Sequence, residues 1–158
     1  MAKSSVHIDN QDKLLLRRLQ EEGRSTNAEL AQAARLSESA CFRRVRALEA
    51  ARVITGYAAN VDPTAVGLGL TVYVSITLAS QAQDVLEAFE AAVADAPEIM
   101  ECHLMTGQAD YIARIVASDV ADLERLHAQV LTRLPGVARL NSSIALRSVV
   151  RRGALPIR

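Results

Sequence analysis

The apolar residues of this chain change their spacing at Gly69. Before it they recur every three or four positions, the period of helices that bury one side. After it, Leu70, Val72, Val74, Ile76 and Leu78 alternate with Thr71, Tyr73, Ser75 and Thr77, the period of two that marks a strand. The chain therefore pairs a helical N-terminal part with a strand-containing remainder, and its 158 residues suit two small domains. The expected division puts helices and linker in residues 1–62 and the second domain in 63–158.

In the first part, Asp9 to Glu22 reads as a helix with Asp9 as N-cap and Asp12 three residues on, both acids favourable at the positive helix end. Gly23 stands where a left-handed C-cap glycine is expected. Thr26-Asn27-Ala28-Glu29 is a capping box that opens a second, short helix ending near Arg35. Ser37 then caps a third. Along it Cys41, Val45 and Leu48 share one face with Phe42 at the edge, while Ser39, Arg43, Arg46 and Ala47 lie opposite and Arg44 sits at the flank.

Two helices joined by a turn of about four residues form a corner that fits the major groove of DNA. Outward arginines can pair bidentately with guanine O6 and N7, and small Ser and Ala allow close approach. Two such contacts supply about 2–6 kcal/mol of discrimination. The plain alternative is a three-helix packing module whose arginines are only solvated. After the third helix, Arg52 to Val61 is β-rich and broken at Gly56, which fits a two-stranded wing. There Arg52 and Tyr57 can touch phosphate, or Tyr57 can pack against the helices.

Charge supports the DNA reading. Residues 1–60 carry ten basic side chains against seven acidic ones, and the remainder eight against eleven, although the whole chain is neutral. Such asymmetry suggests that one half meets a polyanion.

The second part reads β-α-β-β-α-β. A strand at Leu70–Leu78 is followed by a helix at Asp84–Ala96, strands at Ile99–Met105 and Tyr111–Val116, a helix at Asp119–Leu134 and a strand at Val137–Val150. Split βαβ units of this order fold as a four-stranded antiparallel sheet with both helices on one face. Apolar residues on both strand faces lead to the expectation that two sheets from two subunits pack together, giving a dimer suited to two-fold symmetric operators. In the turn Thr106-Gly107-Gln108-Ala109-Asp110, Gly107 lets backbone N–H groups approach a carboxylate and Asp110 can pair with an ammonium group. The same residues also suit an ordinary hairpin in which Gly107 supplies φ > 0 and Asp110 caps the turn.

Other functions find little support. Cys41 and Cys102 are far apart and His7, His103 and His127 are scattered, so neither a disulfide framework nor a metal site is expected. There is no phosphate loop and no nucleophile with an evident base; Cys102 and His103, neighbours on a strand, point to opposite faces. No apolar run approaches the roughly 20 residues of a membrane helix, and Met1–Asn10 lacks a signal-peptide centre. A cytoplasmic, nucleoid-associated protein is expected.

The stretch IDNQDKLLLRRLQEEGRSTNAELAQAARLSESACFRRVRALEAARVITGYAANVDP resembles the N-terminal signature of the Lrp/AsnC, or feast/famine, family. PEIMECHLMTGQADYIARIVASDVADLERL followed by LPGV resembles its sensor domain. The resemblance spans nearly the whole chain. It implies an α+β protein with an N-terminal winged helix-turn-helix followed by a ferredoxin-like βαββαβ domain, called RAM. Such a protein is a sequence-specific transcriptional regulator and not an enzyme, with double-stranded DNA as partner and no cofactor beyond an amino-acid effector. Dimers are implied, associating further, often into octamers, with the effector between subunits. The helix-turn-helix maps onto Asn27 through Arg46, giving Ser37, Ser39, Ala40, Arg43, Arg44, Arg46 and Arg52 as DNA-binding residues. Thr106, Gly107, Asp110, Tyr111 and Ser142 map onto the effector site. Glu38 and Ala40 stand where prolines are common in the family, and Gln108 replaces a frequent Asp.

Overall fold

Two aspartates begin the ordered helical part. Asp9 and Asp12 form a reciprocal capping box at the start of α1, Asn10–Glu21. The computed structural model describes residues 7–158. Lys3 and most of the Met1–Asn10 stretch lie outside the described residues. Helix α2, Asn27–Ala34, opens on the Thr26/Glu29 capping box, and α3, Glu38–Ala50, on Ser37. The Thr26 backbone N–H is the main reason that the Glu29 carboxyl lies below its ordinary value. Leu15, Leu30, Ala31, Ala34 and Cys41 form the small core between the three helices.

Helix ends depart from expectation. Gly23 is not left-handed, and α1 closes instead through Glu22 N–H to Arg18 O and Ser25 Oγ to Glu22 O. The left-handed non-glycine residues among those described are Arg35 and Arg52, with φ of 55° and 58°. Arg52 follows the last turn of α3, and the N–H groups of Val53 and Ile54 both return to the Leu48 carbonyl at 2.9 and 3.2 Å. This also corrects the expected two-stranded wing. Residues 52–54 are consumed in closing α3, and no strand forms between Arg52 and Val61.

The chain divides into two units, Met1–Asn60 with Val150–Arg158, and Val61–Val149. The return of the last residues was not expected from the sequence. Arg17 Nε and Nη2 donate to the Ile157 carbonyl at 3.0 and 2.8 Å. Gln20 exchanges a pair of hydrogen bonds with the Leu155 backbone at 3.2 and 2.6 Å. Counted by these units, the charge asymmetry deepens to thirteen basic against seven acidic side chains in the first and five against eleven in the second.

In the second unit, β1 (Leu70–Leu78), α4 (Gln83–Ala94), β2 (Ile99–Leu104), β3 (Tyr111–Ala117), α5 (Val120–Gln129) and β4 (Val137–Ile144) realise the expected order. The antiparallel sheet runs β2-β3-β1-β4. Val72, Val74, Ile76 and Leu78 of β1 and Tyr111, Ala113 and Ile115 of β3 pack with Phe89 of α4 and with Leu131 and Leu134. The final strand is shorter than expected. Ala145 N–H takes the Thr71 carbonyl at 2.9 Å, and β1 offers no partner beyond Leu70. The opposite sheet face is mixed rather than apolar: Thr71, Tyr73 and Ser75 lie beside Ile112, Arg114, Asn141 and Ser143, and Arg114 pairs with Glu101 at 2.7 Å.

Candidate nucleic-acid interface and effector loop

The turn Arg35–Ser37 sets α3 against α2, and Asn27 Nδ2 fixes the corner by donating to the Glu38 carbonyl at 2.9 Å. Cys41 and Leu48 are buried on the inner side of α3. Ser37, Ser39, Arg43, Arg46 and Ala47 are exposed, and Ala40 is half-buried. The Ser37 hydroxyl accepts from Ala40 N–H and shares a hydrogen bond with Ser39, both at 3.3 Å. Arg43 makes no hydrogen bond or ion pair with another described residue. Arg46, with a side chain 69% exposed, bridges to Glu49 at 3.2 Å.

Arg44 is the exception among the sequence-assigned DNA contacts. Its Nη1 bridges to Asp9 Oδ2 at 2.8 Å and to Asp12 Oδ1 at 2.9 Å, and its side chain is only 34% exposed. The flank position puts it over the start of α1, so its charge holds two helices together instead of facing outward. Asp9 is held below its ordinary carboxyl value chiefly by the Asp12 N–H, with Arg44 adding to it. Replacing Arg44 by Met keeps an apolar stem but leaves the nearly buried Asp12 without its counter-ion. The expected result is a thermal midpoint several degrees lower. An unchanged midpoint by calorimetry would show that the bridge contributes nothing to the fold.

The expected effector residues do not converge within one subunit. Thr106 and Gly107 are exposed in the β2–β3 turn, with Gly107 at φ 128°. Asp110 is committed to that turn and to the end of β1. Its Oδ2 accepts Leu78 N–H at 2.8 Å, its Oδ1 accepts Gln81 Nε2 at 2.6 Å, and its own N–H donates to Ile76 O at 2.9 Å. These bonds fit the turn-capping reading of Asp110.

Tyr111 is also redirected. It is buried, its ring 4.5 Å from that of Phe89, and its hydroxyl donates to Glu90 at 2.8 Å. Burial first, then the Glu90 carboxylate, push its phenol up to about 12. The Phe89–Tyr111 pair floors a cleft of about 300 Å³ that Val93, Ile99, Cys102 and Leu104 also line. Ser142 pairs with Val74 on β4, two strands from β3 and hence about 10 Å away across the sheet. The partners Gln81 and Glu90 had no signal in the sequence, because folding alone brings them to Asp110 and Tyr111.

No group of three or more His, Cys, Asp or Glu among the described residues is placed to hold a metal ion. Among the described residues no helix is long and apolar enough to cross a membrane.

A helix-turn-helix with an arginine-bearing outer face, joined to an antiparallel sheet domain, defines a DNA-binding regulator with a separate ligand-binding module. Comparison with known proteins agrees: residues 8–55 match the winged helix-turn-helix DNA-binding model and residues 71–155 the Lrp/AsnC ligand binding domain. The chain is 41% identical to the Bkd operon transcriptional regulator of Pseudomonas aeruginosa, over 96% of its own length and 99% of the relative's. Its fold superposes with a TM-score of 0.89 on a transcriptional regulator from Neisseria meningitidis crystallised with L-methionine, at 34% identity over 95% and 97% of the two chains. The feast or famine regulatory protein of M. tuberculosis, also complexed with L-methionine, gives a TM-score of 0.87 at 32% identity over 96% and 100%. The chain belongs to the Lrp/AsnC family. It is a DNA-binding transcriptional regulator of that type.

Proposed function

We propose that α3 reads base edges in the major groove through Arg43 and Arg46, with Ser37, Ser39 and Ala40 facing the duplex and Arg52 touching phosphate. Arg44 positions the reading helix without touching DNA. The observation that carries this is the division of α3 into a buried Cys41/Leu48 side and an exposed side bearing Ser39 and Arg43. A rigid anchor behind and unspent donors in front are what direct readout needs.

The second unit takes an amino-acid effector, a reading supported by the two related proteins crystallised with L-methionine. Thr106 and the backbone at Gly107 receive the carboxylate, and Asp110 and Tyr111 shape the loop. Ser142 contributes from another subunit, which makes the site depend on assembly. The subunits form a dimer, and dimers associate towards an octamer. Two-fold pairing of helix-turn-helix units matches half-sites one helical turn apart.

Gel-shift titration across salt, with and without L-methionine, tests both parts. Each neutralised phosphate lowers the log of the affinity by about 0.9 per tenfold rise in salt. Several contacts therefore give a steep line, and effector binding shifts that line. A flat salt response sinks the DNA reading. A steep line that no amino acid moves sinks the effector reading.

A further inference from the structure

Phe42, Arg46 and Glu49 stand at i, i+4 and i+7 on α3 and so form one stripe beside the arginine-bearing face. The Arg46 guanidinium lies 5.4 Å from the centre of the Phe42 ring. Its Nη1 donates to Glu49 Oε2 at 3.2 Å. The other oxygen, Glu49 Oε1, accepts the Tyr57 hydroxyl at 3.0 Å. One carboxylate therefore joins the reading helix to the extended segment that follows it. Burial and then the Glu49 carboxylate push the Tyr57 phenol up from its ordinary value.

Arginine has five N–H donors in a fixed fork. The bond to Glu49 uses Nη1, and the Nε–Nη2 edge makes no hydrogen bond with another described residue. That edge offers a pair of donors able to make a bidentate contact to guanine O6 and N7. Lying over the Phe42 ring and bonded at one corner to Glu49, the guanidinium gives up less rotamer freedom on docking than a free one. The same carboxylate repels phosphates, so it weakens binding to any duplex regardless of sequence. These two consequences have opposite signs, which makes them separable.

We propose that Glu49, itself held by Tyr57, is a positioning residue that sets the aim of Arg46 and thereby the sequence preference of α3. The proposal rests on the assignment of Arg46 to base reading. The test measures affinity of the full chain for two duplexes at one salt concentration. One is selected by the wild-type chain from random sequence, and the other is a scramble of the same composition.

Glu49→Ala is expected to lower the ratio of selected to scrambled affinity about tenfold, while scrambled affinity holds or rises because a negative charge has gone. Glu49→Gln loses the same charge but keeps an acceptor, so its ratio should fall between those of Ala and wild type. Tyr57→Phe should lower the ratio more weakly. On an Arg46→Ala background, Glu49→Ala should leave the ratio unchanged. Equal gains on both duplexes would show that Glu49 only repels. Equal losses with a lower melting temperature would make its role purely structural. Either result overturns the proposal. Arg46→Ala with an undiminished ratio overturns the base-reading assignment itself, whereas a ratio that falls for Arg46→Ala but not for Glu49→Ala overturns only the positioning role.

Discussion

Replacing Arg43 and Arg46 together by Ala is expected to collapse the preference of this regulator for its operator over unrelated DNA. Each bidentate arginine–base pair contributes about 1–3 kcal/mol of discrimination, so the double variant should lose roughly 30-fold or more in the affinity ratio. The fold should be spared. Both side chains are exposed, and the Arg46–Glu49 bridge is a surface pair whose contribution to stability is under about 1 kcal/mol. Competition binding with operator and scrambled duplexes, alongside a melting curve, measures both quantities. An undiminished ratio in a normally folded double variant would remove these two arginines from the reading surface.

The second large effect lies in the ligand-binding domain. Phe89 is fully buried where α4 meets the sheet, packed with the β1 residues and against the Tyr111 ring. Phe89→Ala is expected to cost about 3–5 kcal/mol through lost burial and the cavity left behind. That is a large share of the 5–15 kcal/mol that stabilises a typical domain. Urea unfolding followed by circular dichroism should show it directly. A loss below about 1 kcal/mol would mean that the site collapses around the smaller side chain.

How much the sequence disclosed depended on the distance between interacting groups. The caps at Asp9, Thr26 and Ser37 were legible because each is made with an N–H three residues on. The sheet was legible because alternation along β1 needs nothing outside the strand. The ion pairs of Arg44 were not legible for the opposite reason. A helical wheel puts it at the flank, and only the packing of α3 on α1 reveals Asp9 and Asp12, more than thirty residues away.

Asp110 was similarly ambiguous, since a carboxylate in a glycine turn suits a ligand as well as a cap. Its partners Leu78 and Gln81, like the Glu90 partner of Tyr111, meet it only in the fold and had no signal in the sequence. Backbone preference misled at the helix ends, where Gly23 stays out of the left-handed region and Arg35 and Arg52 enter it. Hydrogen bonds around the last turns of α2 and α3 outweigh the steric cost there, which is about 1–2 kcal/mol per residue for a side chain larger than glycine.

The stretch Val150–Arg158 gives the chain an unusual connectivity. Its bonds to Arg17 and Gln20 make the effector domain an insertion within the DNA-binding unit, tethered at both ends. A fragment stopping at Asn60 therefore omits part of its own unit and leaves Arg17 and Gln20 without these acceptors and donors. After a single protease nick in the linker, only the hydrogen bonds of Arg17 and Gln20 to the tail would still hold the cut pieces together.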